Sequence, residues 1–344
     1  MMPTPESASQ AAAVATKLRV LHVVGGYPGP STPSSMISVK TQIESLSQVG
    51  IDCDVLILRG IKSWKYLTGW WQVRTRLRRR RYDLLHAHYG YCGAAVVNHG
   101  LPAVTSFMGS DLYGKTYSDG RHMALSHFFH GWLSRYVARR CAATIVKSLR
   151  MCNDLGLEVH VLPNGVDLKR FRPAQAAERQ ALRQQLGFSD GVRYVLFVSN
   201  PAKKVKRYWL AERAVSHCRG IIAAPVELLA VHGQPQDIVQ RHMRACDALL
   251  LTSSHEGSPN VIKEAMASNM RIVSVDVGDV RERLVGIAGC RVVDQDSPEQ
   301  LGEALAEVLD DPEPPGSREA VKPLSLAAVA ASLRAIYEGC MESA

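Results

Sequence analysis

Residues 247–278 read DALLLTSSHEGSPNVIKEAMASNMRIVSVDVG. A leucine-rich apolar run ends in small polar residues, a stretch with helical spacing follows over about 259–268, and a second apolar run, RIVSVDVG, closes the segment. Two short runs buried on both faces and joined by a helix make a βαβ unit, which forces the strands to lie parallel. The same alternation extends outward. VRYVLFVS (192–199) and VELLAVHG (226–233) read as strands, with helices at about 206–218, 236–246 and 301–309. Upstream, LRVLHVV (18–24), CDVLIL (53–58), DLLHAH (83–88), AVTSFM (103–108) and ATIVKS (143–148) repeat the strand pattern. Met36, Val39, Ile43 and Leu46 trace a helix that Gly50 closes. The pattern restarts after VLPNGVDLKRFRP (161–173). The expected architecture is therefore α/β, with two Rossmann-like doubly wound domains, 17–162 and 163–323, facing a central cleft. PEPPGS (312–317) cannot continue a helix, and the amphipathic helix within 324–344 is expected to pack back on the first domain. Residues 1–16 read as a disordered tail.

Composition narrows the class. The 344 residues carry 41 basic and 32 acidic side chains, a formal charge of +9 that favours anionic partners. Hydrophobic residues make up 46%, a globular value, yet no run reaches the 18 apolar residues of a membrane span. Glu6 stands where a signal peptide would be basic, and the eight cysteines form no CxxC pair. A cytoplasmic protein is expected. His86, His88, His99, His122, His127 and His130 have spacings that fit no closed ligand set, so no metal is expected.

Within the opening segment, Ser258 suits an N-cap and Pro259 a first helical position. The backbone N–H groups of Asn260 and Val261 would then lack helical partners and face an anion at the positive end of the helix. Glu264 lies one turn in and Glu256 lies in the loop ahead. Two carboxylates flanking an anion site match a phosphate between two polyols, as in a nucleotide sugar. An ordinary capped helix with two solvated glutamates has the same spacing. The run Lys203, Lys204, Lys206 and Arg207 is either a solvated turn or a phosphate grip; its place after the first strand of the second domain favours the grip.

The string E-G-S-P-N-V-I-K-E-A-M-A resembles the E-x7-E signature of the retaining GT-B glycosyltransferases of family 4. Pro163-Asn164-Gly165-Val166-Asp167, with Phe171 and Pro173, is similar to the family's interdomain segment, and Asn200 to Lys206 to its diphosphate loop. His86-Ala87-His88-Tyr89-Gly90 and Ser106-Phe107-Met108-Gly109-Ser110-Asp111 resemble its acceptor-domain pattern. The SFMGSD and VDVGDV strings resemble the branch that builds teichuronic acid and related surface polysaccharides. The resemblance implies transfer of a sugar from a nucleotide-diphosphate sugar, a UDP-sugar above all, to a glycan or lipid-linked acceptor, with retention and without metal or other cofactor. It makes Glu256, Lys203 and Lys206 catalytic. Gly257, Ser258, Asn260, Val261 and Glu264, with Gly25 and Gly26, bind the donor, and His88, Gly109 and Asp111 stand on the acceptor side.

Four positions depart from the family, among them Ser38, which stands where phenylalanine is usual. Met108 stands where a histidine is common, Met36 where glycine lets the backbone approach the ligand, and Lys203 where arginine is usual. Met36 and Met108 keep open a catalytically silent nucleotide-binding subunit of a polysaccharide assembly complex; an epimerase or phosphorylase on the same fold is the other alternative. Elsewhere, Trp64, Trp70 and Trp71 precede six arginines between 74 and 81, including Arg78, Arg79, Arg80 and Arg81. That order suits peripheral attachment to an anionic membrane surface at the inner face of the cell membrane. A solvated helix is the plainer reading, and no recognised module supports nucleic acid.

Overall fold

The computed structural model describes residues 17–29, 32, 35–61, 64–114 and 124–342; the expected tail and His122 lie outside them. The first sheet holds β1 (Arg19–Val24), β2 (Asp52–Ile57), β3 (Leu84–His88), β4 (Ala103–Ser106), β5 (Ala143–Val146) and β6 (His160–Val161). Its order is β2-β1-β3-β4-β5-β6, and all pairs are parallel. The second holds β7 (Arg193–Phe197), β8 (Val226–Ala230), β9 (Ala248–Leu251), β10 (Arg271–Val275) and β11 (Cys290–Val293), ordered β11-β10-β9-β7-β8, also parallel. Each order reverses direction beside the first strand of its sheet. That is the topological switch at which such sheets bind ligands.

Strand alternation builds two layers of core on the first sheet. Val20, Leu84, Val104 and Ile145 point to one face, where Val329, Leu333 and Tyr337 of the helix Leu326–Glu342 cover them. Leu21, Val23, Leu85 and Ala87 point to the other, against Val73, Cys92 and Val96. The register pairs His22 with His86 and places His88 two residues on, so all three histidines lie on the face that carries the helix Leu326–Glu342.

The chain crosses between the domains twice, and the crossings are tied together. Val166 N–H donates to Leu324 O at 2.8 Å, and Leu326 N–H donates to Val166 O at 3.1 Å. Gly165 makes this possible, because a Cβ there would sit 3.0 Å from Leu326 Cα. Arg318 fastens the junction by donating to the carbonyls of Leu168 and Phe171, both at 2.9 Å, and of Ala267.

Candidate active site

A cavity of about 520 Å³ opens between the carboxyl ends of the two sheets. The second domain lines it with Lys206, Glu256, Gly257, Ser258, Asn260, Val261 and Glu264, and the first with Met36 to Val39, Tyr89, Met108 and Lys147. Seven of the residues expected from the sequence therefore share one wall.

That wall follows from a strand–loop–helix turn. β9 ends buried, the loop 252–259 crosses to the cleft, and the helix Asn260–Ala267 starts there. Pro259 is the N-cap and no side chain caps the helix. The expectation for Ser258 fails because its hydroxyl is engaged elsewhere: it donates to Asp279 Oδ2 at 2.8 Å and accepts from Lys263 Nζ at 3.2 Å. The first-turn N–H groups of Asn260 and Val261 stand ahead of the intrahelical ladder, next to the cavity.

Glu256 and Lys206 face each other, with Nζ to Oε1 at 2.5 Å and both side chains largely buried. Glu264 lies further along the wall, where Gln236 Nε2 donates to it at 3.5 Å. Burial pushes its carboxyl up to about 7, against the pull of Lys263 and Arg170. Lys263, fully buried, is brought down to about 7 by desolvation, with Asp279 opposing.

Gly109 and Gly257 let the domains meet, and Gly278 lets two loops of the second domain pack behind that contact. A Cβ on Gly109 would lie 3.2 Å from Gly257 N, one on Gly257 would lie 3.0 Å from Met108 O, and one on Gly278 would lie 2.6 Å from Gly257 O. Gly109 and Gly278 also hold positive φ, +109° and +59°.

Other expected residues do not line the cavity. Lys203 is exposed in the turn before Lys204–Lys206. Gly25 and Gly26 are not in the cavity lining; at Gly25, Lys65 Nζ donates to the carbonyl and a Cβ would meet Tyr66 Oη at 2.6 Å. Met36 to Val39 form that part of the wall instead. Met36 holds φ +50°, the left-handed conformation that glycine adopts without strain. Asp111 is buried and fastens a loop, accepting from the backbone N–H of Gly90 (2.9 Å), Met108 (2.9 Å) and Gly109 (2.8 Å).

His88 also departs from its expected place at the cleft, since it is fully buried under the helix Leu326–Glu342. Its Nε2 lies 3.0 Å from His22 Nδ1, while His86 contacts Tyr337 Oη at 2.5 Å and Ser106 Oγ at 2.9 Å. His22, His86 and His88 bring ring nitrogens within 4.8 Å of one another. Desolvation takes His22 down to about 3 and holds His86 and His88 well below the usual imidazole range; Lys147 adds to this for the latter two.

Comparison with known proteins agrees with this geometry. Residues 39–170 match Glycosyltransferase Family 4, and residues 211–311 match Glycosyl transferases group 1. TuaC of Bacillus subtilis (strain 168), named as a teichuronic acid biosynthesis glycosyltransferase, is 23% identical over 84% of this chain and 88% of its own. D-inositol 3-phosphate glycosyltransferase of Thermobispora bispora is 27% identical over 72% of this chain and 67% of its own. Among solved structures, sucrose-phosphate synthase of Thermosynechococcus elongatus superposes with a TM-score of 0.79 at 15% identity, covering 95% of this chain and all of that one. Anabaena HepE in complex with UDP gives a TM-score of 0.65 at 16% identity over 92% of this chain and 99% of that one. With its two facing Rossmann-like domains of the GT-B fold and the Glu256-to-Glu264 loop at their cleft, the chain belongs to the family 4/group 1 glycosyltransferases.

Proposed function

We propose that the protein transfers a sugar from a nucleoside-diphosphate sugar to a surface-polysaccharide precursor, a glycan or lipid-linked acceptor, with retention and without a metal. The observation that carries the reading is the single wall on which Lys206, Glu256, the open end of the helix Asn260–Ala267 and Glu264 line one cavity. Lysine and helix N–H groups suit a diphosphate; the two carboxylates suit hydroxyls on either side of it. Structures of HepE with UDP and with UDP-glucose, and the name of TuaC, support the donor class and the product class. Retention is supported by the opposite wall: among the described residues lining it there is neither carboxylate nor imidazole to deprotonate an acceptor for direct inversion. The metal-free reading rests on the positive groups already placed at the cleft, the Lys206 ammonium and the open helix end at Asn260, which can meet the diphosphate charge that a metal would otherwise meet. UDP should raise the melting temperature of the purified protein with a dose dependence that follows occupancy. Turnover should survive EDTA, and restoration of a lost activity by Mg²⁺ would overturn the metal-free reading.

Glu264 gives a sharper check. Binding of UDP-glucose, whose phosphates do not titrate near neutrality, should strengthen from pH 6 to pH 8 as Glu264 ionises around 7, partly offset by loss of charge on Lys263. Glu264→Gln should weaken binding by about 1.5–3 kcal/mol and flatten this rise. It should melt no lower than the parent at pH 8. A carboxyl raised from 4.5 to about 7 by folding destabilises the native state increasingly above pH 4.5 and fully above about 7, and glutamine removes that cost.

Peripheral attachment to an anionic membrane is part of the same proposal. Trp64 and Trp71 are 69% and 65% exposed, and Arg78, Arg79 and Arg81 are exposed beside them. Trp70 is instead stacked on His99, with the Arg74 guanidinium 5.4 Å above its ring. Arg80 is committed to Asp54 (2.8 Å) and Asp52 (3.0 Å), so it belongs to the fold rather than to a lipid surface. The helices Gly69–Arg79 and Ala124–Ala138 both pack on Gly90–Val96, which places exposed Phe128, Phe129 and Trp132 on the same side of the sheet. No helix among the described residues is long and apolar enough to cross a membrane. Replacing Arg78, Arg79 and Arg81 with Gln should weaken binding to anionic vesicles by about 3 kcal/mol, at ~1 kcal/mol per basic residue. Equal binding to neutral vesicles would sink the attachment.

A further inference from the structure

Four charged side chains line the cavity: Lys206, Glu256, Glu264 and Lys147. Lys206 and Glu256 neutralise each other. Glu264 lies in the field of Arg170 and Lys263. Lys147 is different. It follows β5 directly, it is 2% exposed, and its Nζ donates to one neutral acceptor, Leu162 O, at 3.2 Å. Among the described residues no carboxylate stands within ion-pair distance of it. Asp111 attracts it from further off, but the carboxylate of Asp111 is already taken by three backbone N–H groups. Two of the three ammonium protons are thus left over in a wall where Met36, Ile37, Val39, Tyr89 and Met108 are joined by only two small neutral polar side chains, Ser38 and Asn164. A buried cation with one neutral partner is costly unless an opposite charge joins it.

We propose that Lys147 receives an anionic substituent, a carboxylate or a phosphate, carried by a sugar that occupies the half of the cavity next to the first domain. This rests on the nucleotide-sugar reading and narrows it: one of the two sugars brought together is acidic. Methionine at 36 and 108 leaves the ammonium as the strongest polar group on that wall, so the charge on the sugar, rather than a pattern of hydroxyls, sets the preference. The substituent can belong to the donor sugar or to the acceptor, and the two sources separate in solution.

Binding is measured by calorimetry for the parent protein, Lys147→Met and Lys147→Arg. In the donor arm UDP-glucuronate is compared with UDP-glucose. In the acceptor arm glucose 6-phosphate is compared with glucose at saturating UDP. The parent protein is expected to prefer the acidic member at least tenfold in one arm. Lys147→Met should erase that preference and leave the affinity for UDP within twofold, while Lys147→Arg should retain it. Should the Met variant fail to fold, Lys147→Gln makes the same comparison. No preference in either arm overturns the proposal, as does a preference that survives loss of the lysine. An equal loss of affinity for UDP itself also overturns it, by placing Lys147 on the nucleotide diphosphate. If the parent protein binds no UDP, the nucleotide-sugar reading fails by itself. Glucose 6-phosphate against glucose, measured without UDP, then still decides the role of Lys147.

Discussion

Lys206→Ala is expected to lower turnover of a nucleotide sugar by about 10²–10³-fold, the loss seen when one preorganised group that stabilises transition-state charge is removed. The effect should fall mainly on kcat, because negative charge on the leaving diphosphate grows as the glycosidic bond breaks. The variant has a second consequence. Glu256, 2.5 Å from Lys206 Nζ, would be left without its ion-pair partner in a largely buried position. Glu256→Gln and the double variant complete a cycle, and strongly non-additive losses are expected from groups that touch. Lys203→Ala should be milder, since that side chain is exposed and stands outside the cavity wall. A Lys206→Ala enzyme with unchanged kcat would remove this lysine from the chemistry.

The other large effect is expected at Gly278. Alanine there must hold φ +59° and place its Cβ 2.6 Å from Gly257 O, a backbone atom that cannot swing aside. The conformation alone costs about 1–2 kcal/mol and the forced shift a further 1–3 kcal/mol. The shift also moves the loop that carries Glu256, so activity should fall even in the folded fraction. Gly257→Ala separates the two effects. Its neighbours across the cleft are Met108 O and the flexible Met151 side chain, both at 3.0 Å, so it should reduce activity with less loss of melting temperature. A Gly278→Ala protein that melts and turns over like the parent would show that the loops are looser than the glycine contacts imply.

The parts of this molecule that could be read from its sequence are those set by neighbours along the chain. Long branched runs such as VRYVLFVS declare buried parallel strands, and the glycine- and proline-bounded loop before Asn260 declares a helix start beside a polar site. Short edge strands carry little such signal: β6 is two exposed residues, His160 and Val161, and β11 is four, with Arg291 among them. Pairings distant in the chain are invisible in a local pattern. His88 reads as a polar strand end on the acceptor side, yet its alternation with His86 turns it toward a face that Tyr337, 251 residues beyond His86, closes. Gly25 reads as part of a ligand loop, but the side chains of Lys65 and Tyr66 take up the space beside it. Lys147 reads as one more charge after an apolar strand. Its burial and its single neutral partner, Leu162 O, appear only once the fold is assembled.

The helix Leu326–Glu342 has a consequence for how the polypeptide is made. Much of one side of the first sheet rests on Val329, Ala330, Leu333, Tyr337 and Cys340, with Leu46 and Ile51 beside them. A ribosome delivers these residues after every strand of both sheets. During synthesis the first domain therefore waits with Val20, Leu84, Val104 and Ile145 only partly covered, while the second, whose own core draws on residues 166–321, can close ahead of it. The usual order, in which the domain made first is finished first, is reversed here. The nascent first half is a candidate for chaperone capture until the final helix arrives.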